Sequence, residues 1–309
     1  MPADVGAAFN KGKRLGRLAW LATMAMIALC STARSADLVL PDLLVDTQWL
    51  ETKLGHPSLV VVDARAPTDY AAGHIEGAVS LPYTQTFASN SDYKLIVSLS
   101  RARALFSTAG VARDKVIVIY DSGEGTHASR VFWVLEAYGH RRAAILDGGF
   151  PHWRGQGLPH SIVPAVPVPS TFVPEPQVDR LAGKLATRLA LANPNIVLID
   201  SRSEDEFFGS TSKAALAGRI PQSVNVPWLR NVTRMGDVTR YKSSEELREV
   251  YAFVAGRKAI AYCNSGKDAT LAYFVLRRLG MNPAVYDGSW LEWSVDAQTP
   301  KVLAGTIAP

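Results

Sequence analysis

Cysteine is nearly absent from this chain: Cys30 and Cys263 are the only two in 309 residues, which excludes a scaffold held by several disulfides. No C-x-x-C pair occurs and the six histidines lack metal-ligand spacing, so neither a closed zinc site nor any other metal centre is expected. A membrane-spanning run of about 20 apolar residues is also missing, since Leu18 to Cys30 reaches only 13. Charge of one sign is scarce once the start of the chain is set aside. The formal net charge is +5, yet Lys11, Lys13, Arg14, Arg17 and Arg34 stand against the single acid Asp4 within the first 36 residues. The remainder holds 28 basic and 27 acidic residues, so no basic footprint for nucleic acid is expected. A composition of 48% hydrophobic and 20% charged residues excludes disorder, and the length suits one large domain or two ordinary ones.

The basic stretch KGKRLGR (11–17), the apolar run after it and the small residues of STARSA (31–36) predict an export signal over residues 1–36. Cleavage is expected after Ala33 or Ala36, with delivery to a compartment such as the bacterial periplasm and no membrane span afterwards. A retained anchor and a lipoprotein attached at Cys30 are the competing readings, the second disfavoured by bulky Leu29 before the cysteine. With the leader cut, Cys263 is the only thiol and has no intramolecular disulfide partner.

The rest of the chain is a repeat. VVVDAR (60–65) matches VLIDSR (197–202), GHIEGAVSLPY (73–83) matches GRIPQSVNVPW (218–228), and VIVIYDSGEG (116–125) matches AIAYCNSGK (259–267). VLEAYGH (134–140) then pairs with VLRRLGM (275–281), and DGGFPHW (147–153) with DGSWLEW (287–293). Five paired segments in one order mark a tandem duplication, with copies expected over 37–158 and 178–305. Six prolines between Pro159 and Pro176 oppose helix interiors and central strands, which predicts an extended linker over 159–177. Within each copy, short β-branched runs alternate with helical spacing, so an α/β fold is expected: a mostly parallel sheet covered by helices on both faces. Ligands bind such sheets at the carboxyl ends of their strands.

Cys263 sits where a buried strand ends and a helix is about to begin, across Asn264, Ser265, Gly266, Lys267 and Asp268. Such a loop turns backbone N–H groups inward, and with the helix dipole it stabilises an anion, here a thiolate whose pKa it is expected to lower. Gly266 permits the tight turn, Lys267 adds positive charge, and Asp268 is expected to cap a helix that ends with Arg277, Arg278 and Gly280.

The chain resembles the tandem-domain rhodanese family, sulfurtransferases of the thiosulfate and 3-mercaptopyruvate type. The resemblance covers about residues 40–300. It rests on Asp63-Ala64-Arg65 and Asp200-Ser201-Arg202, the G-[HR]-I…P segments, CNSGKD and the D-G-[GS]-[FW]-x-x-W segments. It implies that the first copy is inactive, with Asp121 in the place of Cys263. It further implies that Cys263 takes sulfur from a small anionic donor and passes it to a thiophilic acceptor, cyanide or a thiol, without cofactor or metal.

The loop departs from the family's C-R-K-G-V-T and C-G-S-G-V-T forms. Asn264 matches neither, Lys267 replaces an apolar residue, and Asp268 a hydroxyl. An arginine that helps bind the donor is replaced near Glu206, and Arg219 is the candidate to restore a cation. Asp63–Arg65 and Asp200–Arg202 are expected as structural pairs, Trp153, Trp228, Trp290 and Trp293 as core aromatics, and His127 and Glu124 as minor candidates for a cleft between the copies. A phosphatase of the C-x5-R type is excluded because Ala269 occupies the arginine position. An exported persulfide carrier, served by a protein sulfur donor or acceptor, is the non-enzymatic alternative that Glu206 and Asp268 motivate.

Overall fold

The β-branched runs become the central strands of two five-stranded parallel sheets. The computed structural model describes residues 38–88 and 94–304, with Met1 and Ala3 at the start, so the expected export signal and its cleavage sites lie outside the described residues. In the first copy Val116–Tyr120 lies between Leu59–Asp63 and Ala143–Leu146, with Val79–Ser80 and Leu44–Val45 at the two edges. The second copy repeats this order: Lys258–Tyr262 lies between Ile196–Asp200 and Ala284–Tyr286, with Val224–Asn225 and Leu181–Ala182 outermost. Parallel pairing needs crossover connections, which the helices supply.

Strand periodicity decides which way the chemistry faces. Along Val116–Tyr120, Ile117 and Ile119 enter one core while Val116, Val118 and Tyr120 enter another. Along Lys258–Tyr262, Ala259, Ala261 and then Cys263 join the first of these cores, while Ile260 and Tyr262 pack on the far face. That first core is common to both copies. Helices Thr126–Ala137 and Ala269–Arg278 meet in it, with the Phe132 and Phe274 rings edge to face at 5.0 Å and the Ser129 and Thr270 hydroxyls 3.1 Å apart. Cys263 therefore lies on the side of its sheet that looks toward the first copy.

Arg65 binds Asp63 and reaches the Gly73 carbonyl at 2.7 Å, and Arg202 binds Asp200 and reaches the Gly218 carbonyl at 2.8 Å. Both are buried pairs that tie a strand end to a neighbouring loop. Residues 162–177 carry no helix or strand and are strapped to copy one: Ser170 and Phe172 donate to Ser107, Glu175 to the Tyr138 carbonyl, and Gln177 to the Ala137 carbonyl. Phe172 is buried against Phe106, so the linker is part of the fold. Among the described residues no helix is long and apolar enough to cross a membrane.

Candidate active site around Cys263

The loop from Cys263 to Asp268 is held from three sides. Its cysteine is 1% exposed, and the backbone N–H groups of Ala269, Ser265 and Asp268 are directed at the sulfur. Gly266 adopts φ +71°, and a Cβ there would lie 2.5 Å from Asp287 Oδ1, so only glycine fits. Ser289, itself left-handed at φ +52°, accepts hydrogen bonds from the Cys263 and Gly266 N–H groups, both at 3.1 Å, and donates to the Tyr286 carbonyl at 2.7 Å. Trp290 N–H and Leu291 N–H complete the clamp on the Cys263 and Asn264 carbonyls.

A cavity of about 620 Å³ opens beside the loop, lined in part by Arg202, Glu206, Lys213, Trp228, Arg230 and Asp268. Asn264 Nδ2 donates to Glu206 Oε1 at 2.8 Å, joining the loop to the cavity wall. Trp153, Trp290 and Trp293 are buried core side chains, whereas Trp228 is partly exposed and forms part of this wall. Arg219 lies elsewhere: its guanidinium stacks over Phe207 and Phe208, and its backbone pairs with Val302, away from the residues that line the cavity. Lys213 and Arg230 are the cations at the cavity instead. Their positions give no spacing signal, because they come from a loop and a short 3-10 turn.

Two expectations are corrected. Asp268 makes no capping hydrogen bond, because its backbone is already helical at φ −69° and ψ −27°, whereas a cap needs an extended residue. Its Oδ1 instead lies 3.0 Å from Lys267 Nζ, and the carboxylate borders the cavity. The resting thiol is not depressed either. Burial pushes the Cys263 thiol up, the Asp268 carboxylate adds to this, and the backbone N–H groups only partly oppose it. Replacing Asp268→Asn removes one upward push, so the thiolate fraction at neutral pH grows and alkylation by iodoacetamide at about pH 7 speeds up. The alkylation profile is expected to move to lower pH, and an unshifted profile would contradict this account.

The first copy builds part of the site. Arg130, buried in helix Thr126–Ala137, donates to the Gly266 carbonyl at 2.9 Å and to Asp287 Oδ1 at 2.6 Å, while Ile96 N–H binds Asp287 Oδ2. The copies exchange this favour. Asp147, the counterpart of Asp287, accepts from Tyr241 N–H at 3.0 Å and Arg240 Nε at 2.8 Å. His127 stacks on Tyr83 at 3.9 Å, and burial holds its imidazole below the usual range, with Asp121 opposing and Lys267 reinforcing the shift. Its ring is thus within the field of the active loop. Sequence reasoning missed Arg130 and Ser289; the available signals were an arginine inside the otherwise apolar RVFWVL and a serine where copy one has Gly149.

Copy one displays what such a loop binds. The Asp121 carboxylate accepts from the N–H groups of Gly123 at 2.8 Å, His127 and Ala128 at 3.1 Å, and Gly125 at 3.2 Å. A fixed negative charge fills the nest that in copy two surrounds sulfur.

Comparison with known proteins agrees with this geometry. The rhodanese-like domain family matches residues 46–156 and 184–296. A Mycobacterium leprae protein, named provisionally as a thiosulfate sulfurtransferase, is 33% identical over 281 residues, covering 86% of this chain and 92% of that one. The thiosulfate sulfurtransferase of Pseudomonas aeruginosa is 29% identical, covering 84% and 96%. Among solved structures, SseA of Escherichia coli, described among 3-mercaptopyruvate sulfotransferases, superposes with a TM-score of 0.72 at 26% identity, covering 81% of this chain and 99% of that one. An ergothioneine biosynthesis enzyme from Chlorobium limicola, 22% identical with a TM-score of 0.75 over 85% of this chain and 70% of its own, has the same fold. With both copies matched by the family and relatives of the same activity covering most of the chain, the chain belongs to the rhodanese-like family and is a sulfurtransferase of two tandem domains.

Proposed function

We propose that Cys263 carries the transferred sulfur as a persulfide, with thiosulfate or 3-mercaptopyruvate as donor and cyanide or a thiol as acceptor. The observation that carries this reading is the nest of N–H groups around a buried sulfur, which in copy one holds a carboxylate. In the first step the Cys263 thiolate attacks the donor's outer sulfur. From thiosulfate the sulfur–sulfur bond breaks and its electron pair leaves on sulfite; from 3-mercaptopyruvate the carbon–sulfur bond breaks and the enolate takes a proton to give pyruvate. The persulfide's charge then rests against the loop N–H groups, as an oxyanion rests in its hole. Asn264, Ser265, Gly266, Lys267 and Asp268 form the binding loop, and Arg219 stays outside it.

The test is the intact mass of the reduced protein before and after each donor, followed by cyanide. Gain of one sulfur that cyanide removes supports the reading, and no gain from either donor overturns it. The starting mass also reads the proposed export step, since cleavage after Ala33 or Ala36 gives different masses. Replacing Asp121→Asn, by contrast, is expected to cost about 1–3 kcal/mol of stability by weakening four charge-assisted hydrogen bonds. Urea unfolding measures that loss, and most transfer activity remains.

A further inference from the structure

The two copies differ in where one backbone N–H points. Aligned on their helices, Ala128 pairs with Ala269, His127 with Asp268 and Gly125 with Gly266, and both glycines are left-handed, at φ +80° and φ +71°. In copy one the N–H groups of Ala128, His127 and Gly125 all reach the Asp121 carboxylate at the centre of the nest. In copy two those of Ala269 and Asp268 reach the Cys263 sulfur, but the Gly266 N–H is bound by Ser289 Oγ at 3.1 Å. Ser289 takes the Cys263 N–H as well and gives its own proton to the Tyr286 carbonyl. A hydroxyl has one donor and two acceptor positions, so this one is saturated and has no proton left for the sulfur. Copy one has no room for such a residue. Its counterpart is Gly149, where a Cβ would lie 2.4 Å from the Asp121 carbonyl oxygen and 2.7 Å from Gly123 N. Ser289 is buried at the same place in copy two, with a left-handed backbone at φ +52° that disfavours any side chain.

We infer that Ser289 is a positioning residue for the nucleophile: it binds the Gly266 N–H that the nest would otherwise turn on Cys263, and so limits the positive backbone charge that the sulfur receives. This rests on the reading of Cys263 as the attacking group and adds what sets its reactivity. A sulfur given more N–H groups ionises more readily but attacks more weakly, because nucleophilicity falls as the anion is stabilised. Withholding one N–H leaves less thiolate at rest and makes each thiolate more reactive. The raised Cys263 thiol agrees, since burial and Asp268 push it up and the N–H groups that remain only partly oppose them. The backbone at Ser289 agrees as well. A left-handed residue other than glycine persists only where its surroundings hold it, and here the three hydrogen bonds of the hydroxyl do so.

The test is the pH profile of iodoacetamide alkylation of the reduced full chain, in the wild type and in Ser289→Gly, the residue that copy one carries at this place. The substitution frees the Gly266 and Cys263 N–H groups and removes the left-handed strain. The charged groups around the loop stay as they are: Lys267 and Asp268 in it, Asp287 and Arg130 against Gly266, Glu206 on Asn264, and His127 from copy one. Relative to its own high-pH limit, alkylation at about pH 7 is expected to rise at least about threefold, while the limit itself does not rise. An unchanged or smaller relative rate at pH 7 overturns the inference, and so does a rate that rises by one factor at every pH, which is what a merely loosened loop gives. Ser289→Ala, which keeps the Cβ and loses the hydroxyl, gives the same reading if Ser289→Gly does not fold. Alkylation needs no sulfur donor, so the two readings fail separately. A wild-type protein that gains no sulfur from thiosulfate or 3-mercaptopyruvate overturns the persulfide reading, whereas matching alkylation profiles overturn only the role of Ser289.

Discussion

A Cys263→Ser protein mixed with thiosulfate or 3-mercaptopyruvate is expected to gain no sulfur, and its transfer rate should fall by a factor on the order of 10³ or more. The substitution keeps the shape of the loop, since the hydroxyl fits where the thiol is buried and the N–H groups of Cys263 and Gly266 remain on Ser289. What it removes is the nucleophile. A serine hydroxyl stays protonated where even a raised thiol ionises to a useful degree, and oxygen cannot form the persulfide on which the second step depends. Stopped-flow cyanolysis with intact-mass readout checks both steps, and full activity in this variant would sink the persulfide enzyme and the persulfide carrier together.

Arg130→Ala should do its damage from the first copy. Arg130 and Asp287 are an ion pair at 2.6 Å with both side chains almost fully buried, and removing one partner of such a pair typically costs about 3–5 kcal/mol. The loop loses its hold on the Gly266 carbonyl at the same time, so persulfide loading is expected to slow at least about tenfold. The pH dependence has a definite sign. Burial already pushes the Asp287 carboxyl up, with Arg130 opposing, and deleting Arg130 raises it further. A group whose folded-state pKa is raised binds more protons when folded, so its contribution is present at low pH and lost as pH rises. The variant is therefore expected to recover stability as the pH falls from neutral, by urea unfolding at each pH. A loss below about 1 kcal/mol at neutral pH would mean that Asp287 is neutral in the native protein.

The parts of this molecule that local chemistry dictates were legible before any coordinates. VVVD, VLID, VIVIY and AIAY lie in strands because short apolar runs, mostly β-branched, are buried on both faces, and their repetition with intervening helical spacing leaves few topologies other than a parallel α/β sheet. Cys263 was legible as well, because a lone cysteine between a strand and a helix is both a position and a chemistry. Arg130 was not, since its partners Gly266 and Asp287 lie 136 and 157 residues away and no spacing rule spans such distances. Asp268 was misread for a related reason. Its type and place satisfy the rule for a cap, but Gly266 makes the turn earlier, so the backbone is helical before the carboxylate is reached. The raised thiol follows first from burial in the core that both copies share, a tertiary effect that the loop sequence alone does not carry.

The core that runs through both copies has a consequence for dilution. Two separate chains meeting through Thr126–Ala137 and Ala269–Arg278 would hold the Arg130 brace only while their concentration exceeded a dissociation constant. Here the strapped linker fixes the encounter at an effective concentration set by the chain itself. The copy without a nucleophile thus acts as a permanently bound subunit. Each molecule carries the Arg130 brace within its own chain, whatever the protein concentration.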